Sequence, residues 1–135
     1  METTTIDKDI KVFYVNASSF PAGIEEAHKG LHSLVPFSKD RRYFGLSRPE
    51  NGDIVYKAAA EEIREGEAEK FKLDTLVLKK GTYVSETIHD FMKDIPAIGS
   101  TFQQMLQRDD IDPQGYCVEW YFNEKDVRLM VRLKD

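Results

Sequence analysis

The sequence predicts an α+β fold, in which two β-α-β-β units form one mostly antiparallel sheet with two main helices on one face. Two observations predict it. The order strand, helix, hairpin occurs twice along the chain, and Phe20-Pro21-Ala22 of the first helix start corresponds to Ile95-Pro96-Ala97 of the second. We place the first unit at residues 8–63, an acidic linker at 61–73 and the second unit at 74–135, all within a single domain of 135 residues.

The first unit opens with a β-prone segment at Ile10–Val15. Ser18-Ser19-Phe20-Pro21 then indicates the start of a helix, because a proline in a first turn loses no hydrogen bond. Apolar residues recur at helical spacing from Ile24 to Leu34, and Pro36 ends the segment.

The second unit opens with residues 76–84, which predict one strand with a bulge or bend at Gly81. Asp94 is placed to cap a helix that starts at Ile95 and carries an apolar stripe to Leu106. Both helices therefore have start signals and an apolar face.

A hairpin follows each helix. The first joins strands at 43–47 and 54–56 through Asn51-Gly52, a turn in which both residues tolerate positive φ. The second joins Tyr116–Phe122 to Val127–Leu133 through residues 123–126.

Composition excludes several classes of protein. The net charge of −5 and an acidic run at 61–70 argue against direct nucleic-acid binding, and we expect that run to be a solvated linker. Cys117 is the only cysteine, so no internal disulfide is expected. The N-terminus lacks secretory features and no apolar run is long enough to span a bilayer, so we expect a cytoplasmic protein without membrane contact.

The last hairpin carries a family likeness. Cys117-Val118-Glu119-Trp120-Tyr121 resembles the terminal signature of the GyrI-like superfamily, the bacterial transcription-activator effector-binding domains, which have a Glu, one variable residue and a Tyr on this strand. The family's first hairpin resembles the segment that contains Phe44-Gly45-Leu46, Asn51-Gly52 and Tyr56. The opening of its second half resembles Gly81-Thr82-Tyr83. The chain departs from the pattern at Met130–Leu133, which lacks the usual proline.

The resemblance implies a duplicated fold with a ligand cleft at the pseudo-twofold junction. Members of the family bind drug-like compounds there, and these are often cationic and aromatic. Some members stand alone, some inhibit DNA gyrase and some hydrolyse electrophilic toxins.

Strand alternation puts Val118, Trp120 and Phe122 on one face, which we expect to pack on the helices. Cys117, Glu119 and Tyr121 then face an open cavity. Burial of a charged carboxylate among aromatic rings costs free energy unless a cation pairs with it. The alternative is that Glu119 is the solvent-facing residue of an amphipathic strand.

The ligand-binding residues that we predict are Glu119, Tyr121, Tyr56, Tyr83, Phe44 and Cys117. For each aromatic residue, ordinary packing is the alternative. His28 and His32 have the spacing of zinc ligands on a helix, but too few further ligands accompany them, so we expect surface histidines and no metal site.

These observations favour a stand-alone protein that binds a small organic molecule, either amphipathic or cationic, without a cofactor and without an assigned catalytic residue. One alternative is a hydrolase with Glu119 as general base and Tyr121 or Tyr83 as proton donor. Another is a gyrase-type inhibitor that contacts a protein partner through the acidic run.

Overall fold

The structure is a computed structural model that describes residues 1–135. The strands are β1 (Glu2–Ile6), β2 (Ile10–Asn16), β3 (Tyr43–Glu50), β4 (Asp53–Glu61), β5 (Asp74–Leu78), β6 (Gly81–Ile88), β7 (Cys117–Trp120) and β8 (Val127–Arg132). The helices are α1 (Ile24–Leu34), α2 (Glu67–Phe71) and α3 (Pro96–Leu106), and a short 3-10 turn covers Phe91–Lys93. None of these helices is long and apolar enough to cross a membrane.

All eight strands form one curled, antiparallel sheet in the order β1-β6-β8-β7-β3-β4-β2-β5. From the centre outwards, β3, β4 and β2 of the first unit mirror β7, β8 and β6 of the second. The strand that precedes each unit pairs with the other unit, because β1 lies beside β6 and β5 beside β2. The predicted duplication is confirmed, and its pseudo-twofold junction lies between β3 and β7.

Both main helices cover the same face of the sheet. α1 packs on small and aromatic residues of the first unit, including Phe13, Ala58 and Ala60. α3 packs on apolar residues of the second unit, including Leu129 and Val131. This arrangement confirms the predicted α+β architecture.

The opposite face carries no helix, yet its central residues are fully buried. Curling of the sheet brings Leu78 of β5 and Tyr83 of β6 into one apolar cluster with Val118 of β7. Trp120 packs against this cluster as well, so the prediction that Val118 and Trp120 pack on the helices is wrong. Since both faces of the sheet are apolar at its centre, alternation separates the two faces but does not tell which one the helices cover.

Three local predictions also differ from the structure. α1 begins at Ile24 because residues 20–23 form a turn, and α3 begins at Pro96 without a side-chain cap from Asp94. The predicted strand at 76–84 is divided into β5 and β6, which lie in different halves of the sheet. Gly81 begins β6 at φ 140°, with a nitrogen of Arg132 only 2.8 Å from the position that a Cβ would take.

Part of the acidic run at 61–70 packs against the rest of the protein, although residues 63–66, 69 and 70 are exposed. Glu61 pairs with Arg42, and Glu62 pairs with Lys11. Glu67, on α2, is buried and accepts two hydrogen bonds from the guanidinium of Arg41, each at 2.9 Å. Glu67 is therefore not available to a protein partner, although Glu65 and Glu69 remain exposed.

Candidate functional site

Glu119 lies at the pseudo-twofold junction, on the face of the sheet that carries the helices. It sits on β7 directly opposite Gly45 of β3 and is only 7% exposed. Its side chain is covered by Tyr56 of β4, by Tyr121 at the end of β7 and, one step further, by His28 of α1. We call these four residues, Glu119, Tyr56, Tyr121 and His28, the Glu119 site.

Hydrogen bonds connect all four side chains of the site. The hydroxyl of Tyr56 donates to Oε1 of Glu119 at 3.0 Å, and the hydroxyl of Tyr121 donates to the same oxygen. Nε2 of His28 lies 2.8 Å from the Tyr56 hydroxyl. The His28 ring also meets both tyrosine rings edge-on, with centroids 5.7 Å from Tyr56 and 5.5 Å from Tyr121.

The absence of a side chain at Gly45 makes this arrangement possible. A Cβ built on Gly45 would lie 2.0 Å from the hydroxyl of Tyr56 and 2.7 Å from Oε1 of Glu119. Glycine therefore leaves the space in which the phenol and the carboxylate meet across three adjacent strands.

Burial controls the protonation of the site. It raises the pKa of Glu119, against the opposing effect of the two hydrogen bonds from Tyr121 and Tyr56. Burial, reinforced by the charge of Glu119, also raises the pKa of both tyrosines. The pKa of His28 falls to about 4, mainly through burial and secondly through His32, so this ring is neutral at pH 7.

A comparison with Glu67 shows what is unusual about Glu119. The two residues are almost equally buried, at 8% and 7% exposure. Hydrogen bonds from Arg41 lower the pKa of Glu67 to about 2, whereas no cationic side chain bonds to Glu119 and its pKa is raised. Glu119 is thus a buried carboxyl group that the protein supplies with hydroxyl donors but not with a positive charge.

Each tyrosine of the site also forms part of the wall of a cavity. Tyr121 lines a cavity of about 380 Å³ together with the aromatic residues Phe37, Tyr43 and Phe122. Tyr56 lines a separate cavity of about 700 Å³ next to Phe20. Glu119 lines neither of these two, and its carboxyl group is covered by the two tyrosines.

The structure brings together four of the six predicted site residues. Tyr56 and Tyr121 bond to Glu119, and Cys117 lies two residues away on the same face, against the cluster around α3. Burial, and secondly the charge of Glu119, raises the pKa of the Cys117 thiol to about 11, so it is an un-ionised thiol at neutral pH.

Phe44 and Tyr83 lie elsewhere. Both belong to the apolar cluster on the face without helices, and the hydroxyl of Tyr83 donates to the carbonyl of Lys79 at 2.6 Å. Gly45 faces Glu119 across the ladder, so its neighbour Phe44 must point to the other side of the sheet. These two residues are therefore not part of the Glu119 site.

His28 is the residue of the site that sequence reasoning missed. We expected a surface histidine, but its ring is half-buried against Tyr56 and Tyr121, whereas His32 is exposed and packs on Tyr43. Position 28 adjoins the buried stripe formed by Ala27 and Leu31, and this adjacency was the available signal. No group of three or more His, Cys, Asp or Glu side chains is placed to hold a metal ion.

Comparisons with known proteins find similarity at the level of structure. No model of a known protein family matches the chain, and no curated protein matches it. An integron cassette protein from Vibrio cholerae, VCH_CASS2, superposes with a TM-score of 0.71 at 11% identity, over 98% of this chain and 95% of that one.

Two further solved structures have the same fold. A hydrolase from Listeria innocua gives a TM-score of 0.60 at 10% identity, over 98% of this chain and 90% of that one. The protein SAV2435, solved with bound tetraphenylphosphonium, gives a TM-score of 0.66 at 11% identity, over 98% of this chain and 93% of that one. At these identities the likeness establishes a shared fold, and that fold includes a protein with a bound organic cation.

Proposed function

We propose that this chain is a small-molecule-binding protein of the GyrI-like type, whose ligand is an amphipathic or cationic organic compound bound at Glu119. The observation that carries this proposal is the burial of Glu119 without a cationic partner. A carboxyl group in such a place is unfavourable in its charged form until a positive charge is supplied from outside. A ligand cation supplies that charge.

The surroundings of Glu119 suit a ligand that has apolar groups around its charge. The rings of Tyr56 and Tyr121 flank the carboxyl group, and Phe20 and Phe91 pack on their outer sides. Aromatic faces attract a desolvated cation by about 0.5–2 kcal/mol each. The bound tetraphenylphosphonium in SAV2435, a protein of the same fold, has this chemistry and supports the proposal.

The cavity behind Tyr121 is the proposed route to the site. Its volume of about 380 Å³ falls within the usual range for small-molecule pockets, and Phe37 and Phe122 on its rim are 72% and 42% exposed. Because Tyr121 both lines this cavity and bonds to Glu119, we expect binding to displace its ring.

Titration with tetraphenylphosphonium tests the proposal. We expect the wild-type protein to bind it, and Glu119→Gln to bind it at least about tenfold more weakly. Tenfold corresponds to about 1.4 kcal/mol, which is less than the attraction of about 4 kcal/mol between unit charges roughly 4 Å apart near a protein surface. Wild-type affinity should rise with pH as Glu119 ionises, because only the carboxylate attracts the cation. Glu119→Gln should lack this dependence on pH, which calorimetry at several pH values would measure.

Exposed Glu65→Gln is the matched control for a simple loss of negative charge, and triphenylphosphine oxide is a neutral probe with similar rings. Equal affinity of the wild-type protein and Glu119→Gln for the cation would remove Glu119 from the proposal. Failure of the wild-type protein to bind any organic cation would overturn the proposed function itself.

Hydrolysis of an electrophilic compound is the second candidate function. A carboxyl group with a raised pKa is suited to act as a general base, with two tyrosine hydroxyls beside it as proton donors, and one protein of the same fold is a hydrolase. Tyr83 lies on the other face of the sheet, so Tyr56 replaces it beside Tyr121 as the candidate donor. We expect any turnover of a strained epoxide to disappear in Glu119→Gln, and turnover that persists in this variant would exclude the mechanism.

A further inference from the structure

The direction of the hydrogen bonds at Tyr56 determines which ring nitrogen of His28 carries the proton. A tyrosine hydroxyl has one proton, and that of Tyr56 is donated to Glu119. The 2.8 Å contact between Nε2 of His28 and the Tyr56 oxygen can then be a hydrogen bond only if Nε2 carries the proton. The two hydrogen bonds therefore form a chain with one direction, in which His28 donates to Tyr56 and Tyr56 donates to Glu119.

We propose that His28 is a positioning residue, which keeps the hydroxyl proton of Tyr56 turned towards Glu119 and so stabilises the charged form of that carboxylate. A hydroxyl that accepts a hydrogen bond becomes a stronger donor, so donation from His28 strengthens the bond from Tyr56 to Glu119. The effect on ligand binding rests on the proposed function, because an organic cation binds the charged carboxylate. The effect on Glu119 itself does not depend on any ligand.

The same three groups can also form the reversed chain. When Glu119 is protonated, its O–H can donate to Tyr56, and Tyr56 can donate to Nε2 of His28 if the imidazole proton moves to Nδ1. The low pKa of His28, about 4, keeps the ring neutral in both arrangements at neutral pH. The tautomer of His28 should therefore follow the charge of Glu119.

Few other titratable groups face this chain of hydrogen bonds. Tyr121 donates to Glu119 from the end of β7, and the Cys117 thiol lies on the same strand and feels the charge of Glu119. His32, one turn further along α1, also lowers the pKa of His28. The residues that α3 buries on this face are Thr101, Phe102 and Met105, none of which titrates.

A pair of variants at position 28 tests the proposal. Phe in place of His28 keeps a ring but removes the donor, whereas Gln can place an N–H donor near the position of Nε2. Carbon-13 NMR of the Glu119 carboxyl group, without ligand, measures the pH midpoint of its titration. We expect this midpoint to rise in His28→Phe and to return towards the wild-type value in His28→Gln. Glu26→Gln, at an exposed position of the same helix, is the control.

Binding of tetraphenylphosphonium at pH 7 gives the second measurement. We expect His28→Phe to lose roughly three- to tenfold in affinity, the usual worth of one hydrogen bond, and His28→Gln to recover most of it. An unchanged Glu119 midpoint in a folded His28→Phe protein would overturn the proposal. A shifted midpoint in a protein that binds no cation would support His28 as the positioning residue and would count against the proposed function alone.

Nitrogen-15 NMR of the wild-type imidazole gives an answer even if His28→Phe does not fold. With Glu119 charged, at high pH, we expect the proton on Nε2 of His28, and a change towards the Nδ1–H form as Glu119 is protonated. A proton that stays on Nδ1 at high pH would contradict the proposed direction of the chain.

Discussion

Replacement of Glu67 by glutamine should lower the free energy of unfolding by about 3–5 kcal/mol at pH 7, the usual cost of removing one partner of a buried ion pair. The Arg41 side chain is only 5% exposed, and Glu67 is the carboxylate that bonds to its guanidinium, so Glu67→Gln leaves a shielded positive charge without an opposite charge. Glutamine still offers an oxygen to the backbone N–H groups of Ile63 and Arg64 but no negative charge. Urea denaturation of the wild-type protein and the variant measures the difference.

The pH dependence of this loss has a definite sign. The pKa of Glu67 is about 2 in the folded protein, mainly through the Arg41 hydrogen bonds, and lies near 4.3 in an unfolded chain. The folded state therefore binds the proton less tightly, and the stabilisation is present above about pH 4.3 and disappears as the pH falls towards 2. The difference between the wild-type protein and Glu67→Gln should narrow over that interval.

Glu119→Gln is the matched control, because the two residues have similar exposure, 8% for Glu67 and 7% for Glu119, and only Glu67 has a cationic partner. Since the folded pKa of Glu119 is raised, its charged form opposes folding above the ordinary glutamate pKa. Glu119→Gln should therefore gain stability relative to the wild-type protein as the pH rises. Equal losses in the two variants at pH 7 would contradict the distinction that we draw between them.

Replacement of Gly45 by alanine should destabilise the protein by about 2–3 kcal/mol, the cost of a group inserted into a packed interior. The new Cβ would overlap the Tyr56 hydroxyl at 2.0 Å, a distance that forces the phenol to move. We expect the bond from Tyr56 to Glu119 to be lost and the affinity for tetraphenylphosphonium to fall with it. Thermal unfolding and a ligand titration measure the two effects.

Gly99 provides the control for a glycine-to-alanine change. It lies within α3, and a Cβ there would meet no atom within 4 Å. Alanine at this position should stabilise the protein by about 0.5–1 kcal/mol, because it favours the helix and restricts the unfolded chain. If Gly45→Ala behaved like Gly99→Ala, the close contact at Tyr56 would not constrain the site as described.

Local patterns in the sequence predicted the two main helices and the two hairpins, but not β1, α2 or the division between β5 and β6. The apolar spacing of residues 24–34 defines α1, and Asn51-Gly52 forms the predicted turn with positive φ at both residues, 54° and 88°. Glu119 and Tyr121, the Glu-x-Tyr pair, lie on one side of the sheet, and the Tyr121 hydroxyl bonds to the Glu119 carboxyl group within the site. Each of these features depends on residues that are close together in the chain, so propensity and periodicity are sufficient to predict it.

The composition of the site was decided by tertiary structure. Tyr56 and Glu119 are 63 residues apart, and their contact depends on the pairing of β3 with both β4 and β7. A sheet buried on both faces has apolar residues on each side, so the sequence did not show that Glu119 faces the helices or that Phe44 and Tyr83 face away. The pairing of Arg41 with Glu67 and the place of His28 against Tyr56 likewise arise only when distant elements pack together, because no local pattern records which side chain lies opposite.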